Sequence, residues 1–229
     1  MSGEAWLGCW GPDPRPWLRT SVEPSARWLC LTALDDRRAA DAAVQSARRD
    51  VLGDPAIQEL IGRLPDWDAG LGGSGHESPG CGPNLLNLLA ELGVGGGDDE
   101  RIDRLLDQML DRQDEAGRFL SFGLVPGRDV PVWGAVACDT HAVTEVLVRY
   151  GRAGDPRVQK SLRYLAATVT GTAQGLGWRC TPHTVTGWRG PGRRGDVCAQ
   201  VTLEALRTFA RLSEDVRPPG VLEAARPRS

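Results

Sequence analysis

Residues 138–167 read CDTHAVTEVLVRYGRAGDPRVQKSLRYLAA, and this stretch decides the fold. Val143, Val146 and Leu147 recur at helical spacing, and Tyr150-Gly151 ends the run with a glycine where a left-handed cap is favoured. Gly154-Asp155-Pro156 then starts a second helix. The Asp side chain accepts from unbonded backbone N–H groups, and Pro is preset for the first helical position. Val158, Leu162 and Leu165 give this second helix one apolar face. The unit is a helical hairpin.

The start signal is written twice more, as Gly53-Asp54-Pro55-Ala56-Ile57 and Gly97-Asp98-Asp99-Glu100-Arg101-Ile102. Ile57, Leu60, Ile61 and Leu64 follow the first, and Ile102, Leu105, Leu106 and Met109 the second. Leu92-Gly93 repeats the ending seen at Tyr150-Gly151. Cys30, Cys81, Cys138 and Cys198 head related segments at intervals of about 50–60 residues, the signature of a repeat architecture. The pattern predicts an all-α fold. Its inner helices, apolar on several sides, are expected over 26–37, 83–92, 138–150 and 197–212, with Asp-capped outer helices between them. The repeat domain spans 26–212, with about three and a half hairpins. Residues 1–25 read as an N-terminal extension and 213–229 as a disordered tail.

Composition narrows the function classes. A chain of 229 residues can bury one good core. A net charge of −3 argues against nucleic-acid binding, and Arg189, Arg193 and Arg194 are too short a run to oppose that. No apolar run is long enough for a membrane span, and Met1 to Trp10 lacks the basic-then-apolar pattern of a signal peptide. A cytoplasmic location is expected. Six cysteines there predict reduced thiols or metal ligands rather than a disulfide framework.

The connections from outer to inner helices, 66–82, 113–137 and 171–196, are long enough to be functional. They carry Trp67, His76, Cys81, Trp133, Trp178, Cys180, His183, Trp188 and Asp196. Stacked hairpins would bring all three loops to the end where the inner helices begin, and helix N-termini there favour thiolates and other anions.

Two C-x-x-H pairs stand out, Cys138 with His141 and Cys180 with His183, followed by Cys198. Sulfur and imidazole nitrogen in that mixture suit zinc. The expected ligands are Cys138, Cys180 and Cys198 with one or both of His141 and His183. Three ligands and an exchangeable position would make the zinc catalytic, and a closed set of four would make it structural. The plainer reading is packing, with His141 a satisfied core histidine. Packing also accounts for Cys30 and Cys81, and Cys9 is unassigned. Among the eight tryptophans, Trp133 and Trp188 are expected in a substrate pocket, while Trp28 and Trp178 fit helix-packing positions. Asn84 lies on a polar stripe of an inner helix with Cys81, Asn87 and Glu91, at the position equivalent to His141.

An inner helix, a Gly-Asp-Pro turn, the outer helix RVQKSLRYLAA and a Gly-Trp loop together resemble the repeat shared by squalene cyclases and protein prenyltransferase β-subunits. The resemblance covers about 26–212 and is strongest over 83–180. It implies an α/α toroid, two rings of helices around a central cavity with the site at one end. Rings of that family close with more hairpins than this chain supplies, so a homodimer closing the arc is one expectation. Asp196-Val197-Cys198 resembles the Asp-x-Cys pair that helps bind catalytic zinc in prenyltransferases, although no histidine follows His183. Val136 to His141 resembles the D-x-D-D-T-A acid motif of triterpene and class II diterpene cyclases, with Cys138 at the acid position. Asp139, His141 and Asp196 are therefore the catalytic candidates.

Three functions follow from these readings. The first is a terpene-cyclase- or prenyltransferase-like enzyme that cyclises, isomerises or alkylates an apolar polyene or isoprenoid-like molecule, with zinc as cofactor. The second is a metal-free acid/base cyclase using Asp139 and His141. The third is a non-catalytic helical-repeat binding module with structural zinc.

Overall fold

The computed structural model describes residues 11–69, 78–123, 129–172, 175–188, 196–214 and Arg217. Within them the chain is mostly helical. The helices are α1 (Arg15–Arg19), α2 (Pro24–Leu29), α3 (Ala42–Gly53), α4 (Pro55–Gly62), α5 (Gly82–Glu91), α6 (Glu100–Leu110), α7 (Ala137–Arg149), α8 (Pro156–Ala167) and α9 (Ala199–Ala210). Two small antiparallel hairpins join them, β1 (Ser121–Gly123) with β2 (Val132–Gly134) and β3 (Thr170–Thr172) with β4 (Gly175–Gly177).

The repeated start signals all act as caps. Asp54, Asp99 and Asp155 accept from the backbone N–H of Ala56, Arg101 and Arg157 at 2.8, 2.9 and 2.8 Å. Each such cap contributes about 0.5–2 kcal/mol. Arg101 and Arg157 also turn their own guanidinium groups back onto Asp99 and Asp155, which holds both carboxyls below the usual carboxylate range. At the other ends, Gly93 and Gly151 have φ of 100° and 78°. A β-carbon at Gly93 would stand 2.8 Å from Cε3 of Trp28, so space as well as conformation demands glycine there.

Helices α4, α6 and α8 are the Asp-capped set, and α5, α7 and α9 the more apolar set. Ile102, Leu105, Leu106 and Met109 of α6 are all buried, as their spacing predicts. Helix α7 lies at the centre, packed against α5, α8 and α9, with Ala137 to Val148 buried throughout. The Tyr150 hydroxyl donates to the Leu86 carbonyl at 2.8 Å and ties the end of α7 to α5. The Thr144 and Ser161 hydroxyls, 2.7 Å apart, satisfy each other between α7 and α8.

The first unit departs from the expected hairpin. Cys30 falls inside a helix rather than at its start, because α2 continues as a π-helical stretch over Cys30–Leu34. Helix α3, capped by Asp41 at 2.8 Å, fills a segment that carries no recognisable signal in the other units. Its buried face is Val44, Ala47 and Val51, too small to stand out as an apolar stripe. The long loops also hold the two β-hairpins, whose backbone groups bond to each other across the strands.

Residues 1–10 of the expected N-terminal extension, most of the 213–229 tail, His76, Cys9, Arg189, Arg193 and Arg194 lie outside the described residues. Among the described residues no helix is long and apolar enough to cross a membrane. None of the five described cysteines is in a disulfide.

Candidate acid/base site

The first turn of α7 is the focus of the site. Thr140 anchors it by donating its hydroxyl to the Phe119 carbonyl at 3.1 Å, which draws β1 alongside. Ser121, the first residue of β1, then donates its hydroxyl to Oδ2 of Asp139 at 2.5 Å. Both residues are buried.

The loop after β4 closes over this turn. The Thr184 N–H donates to the Ala135 carbonyl, and the Ala135 N–H donates to Oγ1 of Thr184, each at 3.0 Å. Within the loop, the His183 N–H donates to the Trp188 carbonyl at 2.6 Å. These bonds set the His183 imidazole directly on β2. A β-carbon at Gly134 would stand 2.2 Å from Cε1 of that ring, so only glycine admits it. Nδ1 of His183 accepts from the backbone N–H of Val185 and Thr186, each at 3.3 Å. The bonding pattern therefore assigns the proton of the neutral ring to Nε2.

Charge couples these groups. Burial lowers the pKa of His183, and the Asp139 carboxylate pulls it back up. Burial pushes the Cys81 thiol up to about 12, with Asp139 adding to the effect. Burial raises Cys138 further, and Asp139 and Cys180 add to it. The expectation that helix N-termini would favour thiolates therefore fails for Cys81 and Cys138, because desolvation outweighs the helix ends.

Two acids that the sequence analysis did not single out stand near this cluster. Glu204 of α9 is 6 % exposed, and burial raises its pKa to about 7. The Gln200 amide donates to its Oε1 at 2.7 Å, while Oε2 has no partner. The charges of Glu145 and Asp139 raise it further, against a lowering by Arg207. Burial also raises Glu145 of α7, whose nearest cation is Arg211 at 3.8 Å.

His141 stands apart. Two residues along a helix is a rotation of about 200°, so Asp139 and His141 leave α7 on nearly opposite sides. His141 meets the edge of Trp178 at 6.1 Å. Burial takes its pKa down to about 3, and its Nδ1 has no hydrogen-bond partner. It is a core histidine, but not a satisfied one. The imidazole that feels Asp139 is His183.

The remaining expected residues are placed as follows. Cys198 caps α9 by position and donates its N–H to the Trp178 carbonyl at 2.7 Å. Cys180 is half-buried in the loop, and Asp196 is exposed. Asn84 donates its amide to the Ser78 carbonyl at 2.8 Å. Trp133 stacks on Phe122 at 5.0 Å and lies under the Arg112 guanidinium at 4.3 Å. Trp188 is half-buried against the core. Among the described residues no three His, Cys, Asp or Glu side chains stand close enough together to hold a metal ion. Nδ1 of His183 is already engaged by two N–H groups. Of the five expected zinc ligands Cys138, His141, Cys180, His183 and Cys198, the first and third are close enough for their charges to interact, and no step below is routed through zinc.

No known protein family, curated protein or solved structure matches this chain.

The buried acid on α9 makes a stability prediction. The folded-state pKa of Glu204, about 7, lies above the ordinary glutamate value of 4.5. Its contribution to stability is therefore full below pH 4.5 and is lost as pH rises through 7. Glu204→Gln keeps the shape but cannot ionise. Urea unfolding should show the variant more stable than the parent by about 1–3 kcal/mol at pH 8. The two proteins should converge below pH 4.5, as the histidine terms are common to both. A variant less stable than the parent at pH 8 would contradict the assignment.

Proposed function

We propose that this chain is a small acid/base enzyme that isomerises or cyclises an apolar, polyene- or isoprenoid-like molecule without a metal, on a partial α/α toroid of helical hairpins. The observation that carries the proposal is the buried Asp139 carboxylate, held at 2.5 Å by the Ser121 hydroxyl and within the electrostatic reach of His183. This is the second of the sequence-based readings, with His183 in place of His141.

A hydroxyl donating to a carboxylate oxygen stabilises the anion, which suits Asp139 to the role of base. Asp139 takes a proton from an activated carbon of the substrate. The proton returns to a different carbon, either from Asp139 or from Nε2–H of His183, and the double bond moves or a ring closes. Trp133 of β2 is already stacked on Phe122 and covered by Arg112, so Trp188, on the loop after β4, supplies the aromatic face. Such a face stabilises developing positive charge by about 0.5–2 kcal/mol. The buried thiols of Cys81 and Cys138 stay protonated and provide an apolar wall.

The test is incubation of the purified protein with conjugated polyenes and isoprenoid-like substrates, with and without a chelator, followed by mass spectrometry of the products. The proposal expects turnover that survives the chelator and is lost in Asp139→Asn. Elemental analysis of the same preparation tests zinc directly. About one zinc per chain, with chelator-sensitive turnover, would restore the zinc-dependent reading. Mass in solution tests the expectation that a second copy closes the arc.

A further inference from the structure

On the side of α7 away from Asp139 lies a cavity of about 230 Å³. Ala137 and His141, one helical turn apart, line it with Tyr164, Trp178, Arg179 and Thr181. His141 and Trp178 are 2 % and 1 % exposed and form its inner end. Arg179 is exposed and marks its mouth. We propose that this cavity is a binding site for a small aromatic carboxylate carrying a polar group on the far side of its ring.

Three observations carry the assignment. First, His141 lines the cavity, and its Nδ1 is buried without a hydrogen-bond partner. An unmet buried polar atom is costly, and a ligand group that bonds to it removes that cost. Because burial keeps this ring neutral, it suits a hydroxyl or amide rather than a charge. Second, Tyr164 and Trp178 supply aromatic walls. The volume lies below the roughly 300–1,000 Å³ of ordinary ligand sites, which limits the occupant to about one ring. Third, the Arg179 guanidinium makes no ion pair among the described residues, and a carboxylate is its natural planar partner. The site does not depend on the acid/base chemistry proposed for Asp139.

Isothermal titration with 4-hydroxybenzoate tests the proposal. Benzoate, which lacks the distal hydroxyl, should bind about fivefold more weakly. The neutral 4-hydroxybenzyl alcohol should bind at least about tenfold more weakly. Arg179→Gln, a surface change that leaves the core untouched, should lose the preference for the acid over the alcohol. His141→Leu should bind benzoate and 4-hydroxybenzoate alike, and Asp139→Asn should bind as the parent does. Absence of saturable binding by the parent, or an unchanged acid preference in Arg179→Gln, overturns the proposal.

Discussion

Replacing Asp139 with asparagine should lower turnover by about 10²–10⁴-fold, the usual contribution of a positioned proton-transfer group, or more if no other group takes its place. The fold should survive, because asparagine has the same shape and its side-chain carbonyl can still accept from Ser121. The change also removes one negative charge from a neighbourhood shared with Glu204 and the two buried thiols. Its melting temperature should therefore match or slightly exceed that of the parent. The measurement is initial rate on the best substrate of the panel, alongside circular dichroism and thermal unfolding. An unchanged rate in a folded variant would remove Asp139 from the mechanism. Loss of the fold would instead mark the carboxylate as structural.

The largest effect on stability is expected at Trp178. Its side chain is 1 % exposed, stacks on Phe209 at 6.1 Å and donates its indole N–H to the Leu165 carbonyl at 2.6 Å. Its backbone N–H donates to Thr202 Oγ1 at 3.0 Å, so the residue joins α7, α8 and α9. Trp178→Ala should cost about 3–5 kcal/mol for the lost contacts and the cavity left behind. The Leu165 carbonyl keeps the Thr168 hydroxyl at 3.1 Å as a donor, so loss of the indole bond adds only about 0.5–1.5 kcal/mol. A domain stable by about 5–15 kcal/mol would be brought close to unfolding. Trp178→Phe keeps the stacking and loses only the indole bond, so its urea midpoint should fall between the other two. Equal midpoints for Trp178→Phe and Trp178→Ala would show that the hydrogen bond, and not the packing, carries the effect.

Much of the scaffold was legible in the sequence because its signals are local. Asp54, Asp99 and Asp155 mark helix starts through bonds two residues away, and Gly93 and Gly151 mark helix ends through their own backbone angles. Trp178 and Cys81 are buried, as the packing roles expected of them require. Helix α3 escaped because its buried face is built from alanine and valine.

The site was legible only in part, because its bonds cross the chain. Spacing paired Cys138 with His141, but the geometry of α7 sends His141 away from Asp139. Ser121 reaches Asp139 from 18 residues upstream, and nothing in its own neighbourhood announces it. Glu204 did leave a trace. It sits on the buried face with Val201, Ala205 and Thr208, where an acid is out of place. Glu145 likewise lies inside a helix that is buried all round.

The central claim is that Asp139 acts with His183 and not with His141. The most direct test is a pH titration of the imidazole signals by nuclear magnetic resonance, in the parent and in Asp139→Asn. Because the carboxylate raises the pKa of His183, its removal should move the His183 titration to lower pH. His141, held near 3 by burial alone, should stay neutral down to acid pH in both proteins. A His141 titration that moves with the substitution, while His183 stays where it was, would contradict the account.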